Sequence, residues 1–143
     1  MDKNNQNVLY RSGPQQNIKI FKPQKSEKNI AYYNTIKSFN KIYATDDISY
    51  AAGFCFDWAD EEGFIFGKNH SPWVLKVPKK YKSQLNNSCS MYKIDGTNFI
   101  KAKGTTTPEY ISIEPAKVLK EIKFNTCWDC LKKYKVIVKI NSK

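Results

Sequence analysis

The feature that most constrains the fold is that the apolar residues fall into many short segments of strand length, most of them closed by a turn-forming sequence. Alternation of apolar and polar side chains over such lengths is typical of half-buried strands, and clusters of Gly, Pro, Asn and Asp end them. Many such segments with few helices predict an α+β domain whose strands are mostly antiparallel. The predicted strands are residues 8–10, 42–44, 64–66, 73–77, 91–94, 99–103, 110–113, 118–124 and 134–140.

The predicted helical segments are few and short. The run TDD at residues 45–47 is a good N-cap sequence and predicts a helix over residues 46–56. Shorter helical segments are expected at residues 31–39, 79–85 and 127–133. With 143 residues, no repeat and no linker, the chain is expected to form one domain over residues 1–143. The inward face of the 46–56 helix is expected to hold Ile48, Ala51, Ala52 and Cys55.

Charge and hydropathy limit the classes of partner. The net charge of +11 favours polyanions, namely nucleic acid, phosphorylated cofactors or acidic surfaces. The alternative is that the many lysines reflect only an AT-rich genome. No apolar run approaches the roughly 20 residues of a membrane helix. The N-terminus is polar and lacks a signal-peptide segment, so we expect a cytoplasmic protein with no membrane partner.

The four cysteines are Cys55, Cys89, Cys127 and Cys130. The last two have CxxC spacing, but one such pair is only half of a zinc site, and the single histidine, His70, is distant in sequence. The expected state is four reduced structural thiols with no metal, as is usual in the cytosol. A four-cysteine site is the alternative that the sequence leaves open.

One acidic residue stands out in the stretch TTTPEYISIEPAKVLKEIKF, residues 105–124. Glu109 follows a proline and opens a segment in which apolar and polar side chains alternate, the period of a half-buried strand. A carboxylate at the start of such a strand is either a solvated strand end or a group directed into a cleft. The stretch by itself leaves both readings open.

Three segments of the chain follow one another in a characteristic order. They are LYRSG at residues 9–13, KIYATDDISYAAGF at residues 41–54 and PEYISIEPAKVLKEIKF at residues 108–124. Together they resemble the three motif regions of the ADP-ribosyltransferase superfamily. The third is the most specific match, because the poly(ADP-ribose) polymerase branch and its small bacterial relatives have a similar Glu-Tyr-Ile start to an apolar strand. The resemblance implies a compact fold of two small, mainly antiparallel sheets with short helices, and NAD as the substrate.

The resemblance implies two catalytic residues. Glu109 matches the glutamate that stabilises the oxocarbenium charge as nicotinamide leaves the ribose of NAD, and that can orient or deprotonate the acceptor. Arg11, the sole arginine, stands where the polymerase branch has histidine and the mono-ADP-ribosyltransferase branch has arginine. A planar guanidinium suits ribose hydroxyls or a phosphate. The alternative for Arg11 is an ordinary surface residue.

The resemblance also implies which residues bind the nicotinamide group. Ser12 and Gly13 would let the main chain approach the nicotinamide amide. Tyr43 and Phe54 match the two aromatic residues that sandwich the ring, and a ring face is a good partner for the cationic pyridinium. Phe54 can equally be a core residue at the end of an amphipathic helix.

Two further positions belong to the second motif. Thr45 stands where arginine-bearing relatives have Ser-Thr-Ser, and its hydroxyl would support Glu109 or cap the following helix. Ala51 matches the small residue of the helix that follows.

Departures from the motifs restrict the reaction. Arginine-modifying relatives carry Glu-x-Glu, whereas the residue two before Glu109 is Thr107, so arginine is not the expected acceptor. The chain lacks room for the regulatory helical domain and the acceptor loop of the polymerases. We therefore expect transfer of a single ADP-ribose to a protein, with nucleic acid as a second acceptor class, or simple NAD hydrolysis. The alternatives are an RNA 2′-phosphotransferase-like enzyme and a basic binding module on a catalytically eroded fold.

Overall fold

A computed structural model of the chain describes residues 8–23, 41–68, 70–102 and 108–141. Two α-helices, α1 (Ile48–Ala52) and α2 (Cys127–Lys133), and two 3₁₀ helices (Asp60–Glu62 and Lys79–Asn86) lie among the strands. The helix predicted at residues 31–39 falls outside the described residues. The strands are β1 (Val8–Gly13), β2 (Ile20–Phe21), β3 (Ile42–Thr45), β4 (Ile65–Lys68), β5 (Trp73–Pro78), β6 (Cys89–Asp95), β7 (Ile100–Lys101), β8 (Glu109–Ser112), β9 (Ala116–Phe124) and β10 (Ile137–Asn141).

The strands form two sheets, which confirms the predicted α+β class. The larger sheet has seven strands in the order β2-β9-β6-β1-β3-β8-β7, and the smaller has the order β10-β5-β4. The neighbouring pairs for which a register is described are antiparallel, except that β10 runs parallel to β5. The centre of the larger sheet therefore places β1, β3 and β8 side by side, although β1 and β8 are far apart in sequence.

Two apolar cores cover the two faces of the larger sheet. One lies against α1, α2 and the smaller sheet and contains Leu75, Met91 and Leu131, while the other contains Leu9 and Tyr92. Met91 and Tyr92 are neighbours on β6 and belong to different cores, because successive side chains of a strand point to opposite faces. Burying a side chain of this size contributes roughly 1.5–3 kcal/mol, so the centre of the sheet is strongly held.

The predicted 46–56 helix is correct in place but too long. Asp47 caps α1, since its Oδ1 accepts the backbone N–H groups of Ser49 and Tyr50 at 3.0 and 3.2 Å. The helix ends at Ala52, after which the backbone hydrogen bonds span only three residues, as from the N–H of Cys55 to the carbonyl of Ala52 at 3.2 Å. The four residues predicted to face inward do so. Ala51, Ala52 and Cys55 are buried and Ile48 packs against the same core, although Cys55 lies beyond the helix.

Smaller corrections concern strand ends. The last predicted strand begins at Ile137 rather than at residue 134, because Tyr134 and Lys135 form the turn after α2 and Lys135 has a φ of 63°. The strand β2 lies in a segment for which the sequence predicts no strand, and it pairs with β9. The strand expected at residues 99–103 is reduced to Ile100–Lys101, and residue 103 is not among the described residues. No helix within the described residues is long and apolar enough to cross a membrane.

Gly53→Ala is expected to lower the free energy of unfolding by about 1–3 kcal/mol. A Cβ at this position would overlap Cζ of Phe66, so the aromatic ring would have to move out of a packed cluster. Urea unfolding followed by tryptophan fluorescence measures the change. Gly67→Ala is the matched control, because nothing lies within 4 Å of a Cβ there. Equal changes in the two variants would contradict the close approach.

Candidate active site

The site is built where three neighbouring strands cross the centre of the larger sheet. Thr45 is the common residue, since it pairs with Tyr10 of β1 on one side and with Glu109 of β8 on the other. Directly opposed residues of an antiparallel pair project from the same face of the sheet. Tyr43 lies two residues before Thr45 and so projects from that face as well. Thr45, Tyr43 and Glu109 therefore share one face.

Glu109 is half-buried, and its carboxylate faces two tyrosines. The hydroxyl of Tyr50, on α1, donates a hydrogen bond of 3.0 Å to Oε2 of Glu109. Burial and, secondarily, the negative charge of Glu109 raise the pKa of Tyr43 to about 12, so this phenol stays neutral at physiological pH. The carboxylate is thus half-buried and held against the α1 side of the sheet, rather than fully exposed as a solvated strand end would be.

The turn between β3 and α1 fixes the orientation of Tyr50. Oγ1 of Thr45 accepts the N–H of Asp47 at 3.0 Å, and Asp47 in turn caps α1. The second carboxylate oxygen of Asp47 accepts the indole N–H of Trp73 at 2.9 Å, which ties the start of α1 to the smaller sheet. Thr45 therefore supports the helix start, one of its two predicted roles, while its backbone position adjoins Glu109.

Arg11 lies at the place where β1 and β3 stop pairing. Among the described residues the register between these strands consists of the single pair Tyr10–Thr45. Beyond it, Nη1 of Arg11 donates a 2.8 Å hydrogen bond to the carbonyl oxygen of Tyr43, so a side chain rather than a ladder amide satisfies that acceptor. The guanidinium also lies 5.0 Å from the ring centroid of Phe21, a cation–π distance.

The electrostatic setting of Arg11 differs from that of a solvated cation. Burial lowers the pKa of Arg11, and the negative charge of Asp57, in the segment after α1, partly opposes that shift. Arginine remains charged in proteins even when its pKa is lowered. A partly desolvated guanidinium is a stronger partner for an anion than an exposed lysine, because solvent screens it less.

Ser12 and Gly13 follow Arg11 at the end of β1. The hydroxyl of Ser12 donates a hydrogen bond to the carbonyl oxygen of Ala51, which joins β1 to α1. Ala51 is buried, so its contribution is this carbonyl and a small side chain that lets α1 approach the sheet. Nothing lies within 4 Å of a Cβ built on Gly13, so the chain is open to an incoming group there.

Phe54 belongs to an aromatic cluster that also includes Tyr50. Its ring stacks on Trp58 with centroids 5.4 Å apart and contacts Tyr50 edge-on at 5.1 Å. Tyr50 also stacks on Phe66 at 5.5 Å. Phe54 is half-buried, and the structure places it in the core cluster, the second of its two predicted roles, with part of its ring exposed.

Sequence reasoning missed Tyr50 and Asp47 as parts of this site. Tyr50 is not part of the predicted inward face of the helix although it is buried, and the partner of its hydroxyl, Glu109, is 59 residues later in the chain. The N-cap run TDD identified the helix start, but not the contact from Asp47 to Trp73, which depends on how the two sheets meet. Comparison of the chain with protein-family models, with curated proteins and with solved structures gives no match.

The arrangement offers a carboxylate and a guanidinium on either side of a central strand. Neighbouring strands lie about 4.8 Å apart, so the backbones of β1 and β8 are separated by roughly 10 Å. Arg11 pairs with Tyr92 and so projects from the face of the sheet opposite to that of Glu109, while its guanidinium reaches the gap between β1 and β3 beyond Tyr10 and Thr45. A ligand that contacts both groups would therefore have to pass through this gap.

Proposed function

We propose that the chain is an NAD-dependent ADP-ribosyltransferase that transfers a single ADP-ribose, with NAD hydrolysis when no acceptor is bound. One observation carries the proposal: the three motif segments, distant in sequence, lie on the adjacent strands β1, β3 and β8. This adjacency puts Glu109 beside Thr45 and brings Arg11 to the edge of the same strand. Nothing in the residue pattern of the motifs by itself requires that adjacency.

Glu109 is assigned the central role in cleavage. As the bond between nicotinamide and ribose breaks, positive charge develops on the sugar, and a carboxylate hydrogen-bonded to the ribose hydroxyls stabilises it. The hydrogen bond from Tyr50 fixes the carboxylate before the substrate arrives, which reduces the cost of orienting it. The same carboxylate can then accept a proton from the incoming nucleophile.

Arg11 is assigned to the diphosphate or a ribose of NAD. Its guanidinium has five N–H donors, of which one is directed to the carbonyl of Tyr43. The open space at Gly13 lies two residues further on, where main-chain groups can meet the carboxamide of nicotinamide. Tyr43 and the exposed part of Phe54 are the candidate partners for the pyridinium ring.

The acceptor is proposed to be a protein. Thr107, outside the described residues, stands where arginine-modifying relatives have a second carboxylate, so the acceptor is not expected to be arginine. Nucleic acid is the second acceptor class because of the +11 charge. The test is to incubate the full chain with labelled NAD and to measure free nicotinamide and label on mixed protein, DNA, RNA and 2′-phosphorylated RNA.

Each outcome has a distinct meaning. Nicotinamide release with label on protein supports the proposal, and release without labelled acceptor indicates a glycohydrolase. Label on nucleic acid alone overturns the choice of acceptor. Loss of the phosphate from 2′-phosphorylated RNA indicates a 2′-phosphotransferase. No release of nicotinamide under any condition indicates an eroded binding module and contradicts the proposal.

Tyr50→Phe is expected to lower kcat for nicotinamide release roughly tenfold, with little change in KM. It removes one hydrogen bond to the carboxylate, and a bond to a charged group contributes about 1.5 kcal/mol. Steady-state kinetics with NAD measures the effect. Tyr110→Phe is the control, since that neighbouring hydroxyl donates to Asp46 instead, at 3.3 Å.

A second comparison separates positioning from simple loss of packing. In a Glu109→Gln background, Tyr50→Phe should change the rate little further, because both changes act on one interaction. Fully multiplicative effects of the two substitutions would show that Tyr50 acts independently of Glu109.

A further inference from the structure

The four cysteines of the chain converge on one point in the larger core. Cys55 follows α1, Cys89 opens β6, and Cys127 and Cys130 lie on α2. All four are buried thiols. The chain contains no other cysteine, so all of its cysteines, although they come from three separate parts of the chain, lie in a single cluster.

The sulfur atoms are close enough to share one ion. The Sγ atoms of Cys55, Cys89 and Cys127 all lie within 4.8 Å of one another. The Sγ of Cys130 is not one of these three mutually close sulfurs, but it contacts Cys55 and Cys89. Four thiolates bound tetrahedrally at about 2.3 Å from zinc have sulfurs about 3.8 Å apart. Binding of one ion by all four would therefore draw Cys130 closer to the other three sulfurs.

We infer that Cys55, Cys89, Cys127 and Cys130 form a structural four-cysteine zinc site. Structural zinc sites are closed, four-coordinate and rich in thiolates, and one ligand pair with CxxC spacing is common among them. Here α2 supplies that pair, while Cys55 and Cys89 each come alone from distant parts of the chain. The single histidine, His70, is not among the clustered ligand groups.

The surroundings distinguish this cluster from a disulfide pair. Each thiol contacts more than one other, so no two of them form an isolated couple. A divalent cation at this point would allow all four thiols to ionise, with release of their protons to solvent.

The site would join three layers of the fold. Cys55 lies three residues beyond α1, the helix that holds Tyr50 against Glu109, and Cys89 lies on the strand next to β1. The backbone N–H of Cys127 donates to the carbonyl of Asn87 at 2.8 Å, which aligns α2 with the start of β6. A metal held here would fix α1 and α2 to the central sheet, independently of whether the chain cleaves NAD.

The test is the metal content of the full chain, purified under reducing conditions without an affinity tag or chelator. We expect about one zinc per chain. Cys89→Ser should lose most of it, and Ser90→Ala, at the next residue of the same strand, should keep it. Zinc can be removed with a chelator under mild denaturation. The refolded, zinc-free chain should have a Tm at least about 10 °C lower than that of the zinc-bound chain.

If Cys89→Ser fails to fold, the wild-type chain refolded with Co²⁺ decides the question. Visible absorption of a tetrahedral ion together with sulfur-to-cobalt charge-transfer bands of four thiolates is expected. The inference is overturned by purified protein that holds less than about 0.1 zinc per chain and has four titratable thiols. It is equally overturned if the mass of the purified chain is lower by two hydrogens, because that difference signals a disulfide. It is also overturned if the Co²⁺-bound chain shows no sulfur-to-cobalt charge-transfer bands.

Discussion

Glu109→Gln should reduce nicotinamide release from NAD about a hundredfold while the protein stays folded. The substitution keeps the size of the side chain and removes its charge, and losing one electrostatic group at a reacting centre costs about 3 kcal/mol of transition-state stabilisation. The amide can still accept the hydrogen bond from Tyr50, so the local structure should persist. The loss is expected in kcat rather than in KM.

The matched control for this experiment is Glu114→Gln. Glu114 is exposed and lies just beyond β8, so its neutralisation changes the net charge by the same amount without touching the site. Thermal unfolding of both variants shows whether the fold is kept. Wild-type turnover in Glu109→Gln, with Tm unchanged, would remove Glu109 from the mechanism.

Arg11→Lys should lower kcat/KM for NAD about thirtyfold, chiefly through a higher KM. Lysine keeps the positive charge but loses the planar fork that makes two parallel hydrogen bonds to a phosphate or a pair of hydroxyls. Losing such charge-assisted bonds costs about 2 kcal/mol. Lysine has three donors against the five of arginine, so fewer remain for a ligand once one donates to the carbonyl of Tyr43.

Lys93→Ala is the control for Arg11. Lys93 is exposed on β6, the strand next to β1, so its removal takes away a whole charge near the site without touching the gap between β1 and β3. NAD titrations should give unchanged KM for this variant. An Arg11→Lys enzyme with wild-type KM would reduce Arg11 to an ordinary cation.

Local periodicity predicted the elements that carry the site well. The alternation after Glu109 placed β8, the apolar run at residues 42–44 placed β3, and the TDD run placed the start of α1. These signals are local, since strand alternation and N-capping depend on residues within a few positions of one another. The α+β class followed from the number of such short segments.

What could not be predicted depends on contacts between distant segments. The contact of Tyr50 with Glu109 arises only when α1 packs over β8. The clustering of the cysteines needs α1, β6 and α2 to meet, and the long intervals between Cys55, Cys89 and Cys127 give no spacing signal. The close approach of the Phe66 ring, from β4, to Gly53 also depends on how distant segments pack and leaves no signal in the local sequence.

The most direct test of the proposed function is a co-crystal structure with NAD or a non-hydrolysable analogue. The proposed role of Glu109 predicts that a hydroxyl of the nicotinamide ribose lies about 2.6–3.2 Å from its carboxylate. It also predicts that the nicotinamide carboxamide meets the main chain at Ser12 and Gly13, and that the guanidinium of Arg11 contacts a phosphate or ribose oxygen. NAD bound elsewhere, or with its ribose turned away from Glu109, would contradict it.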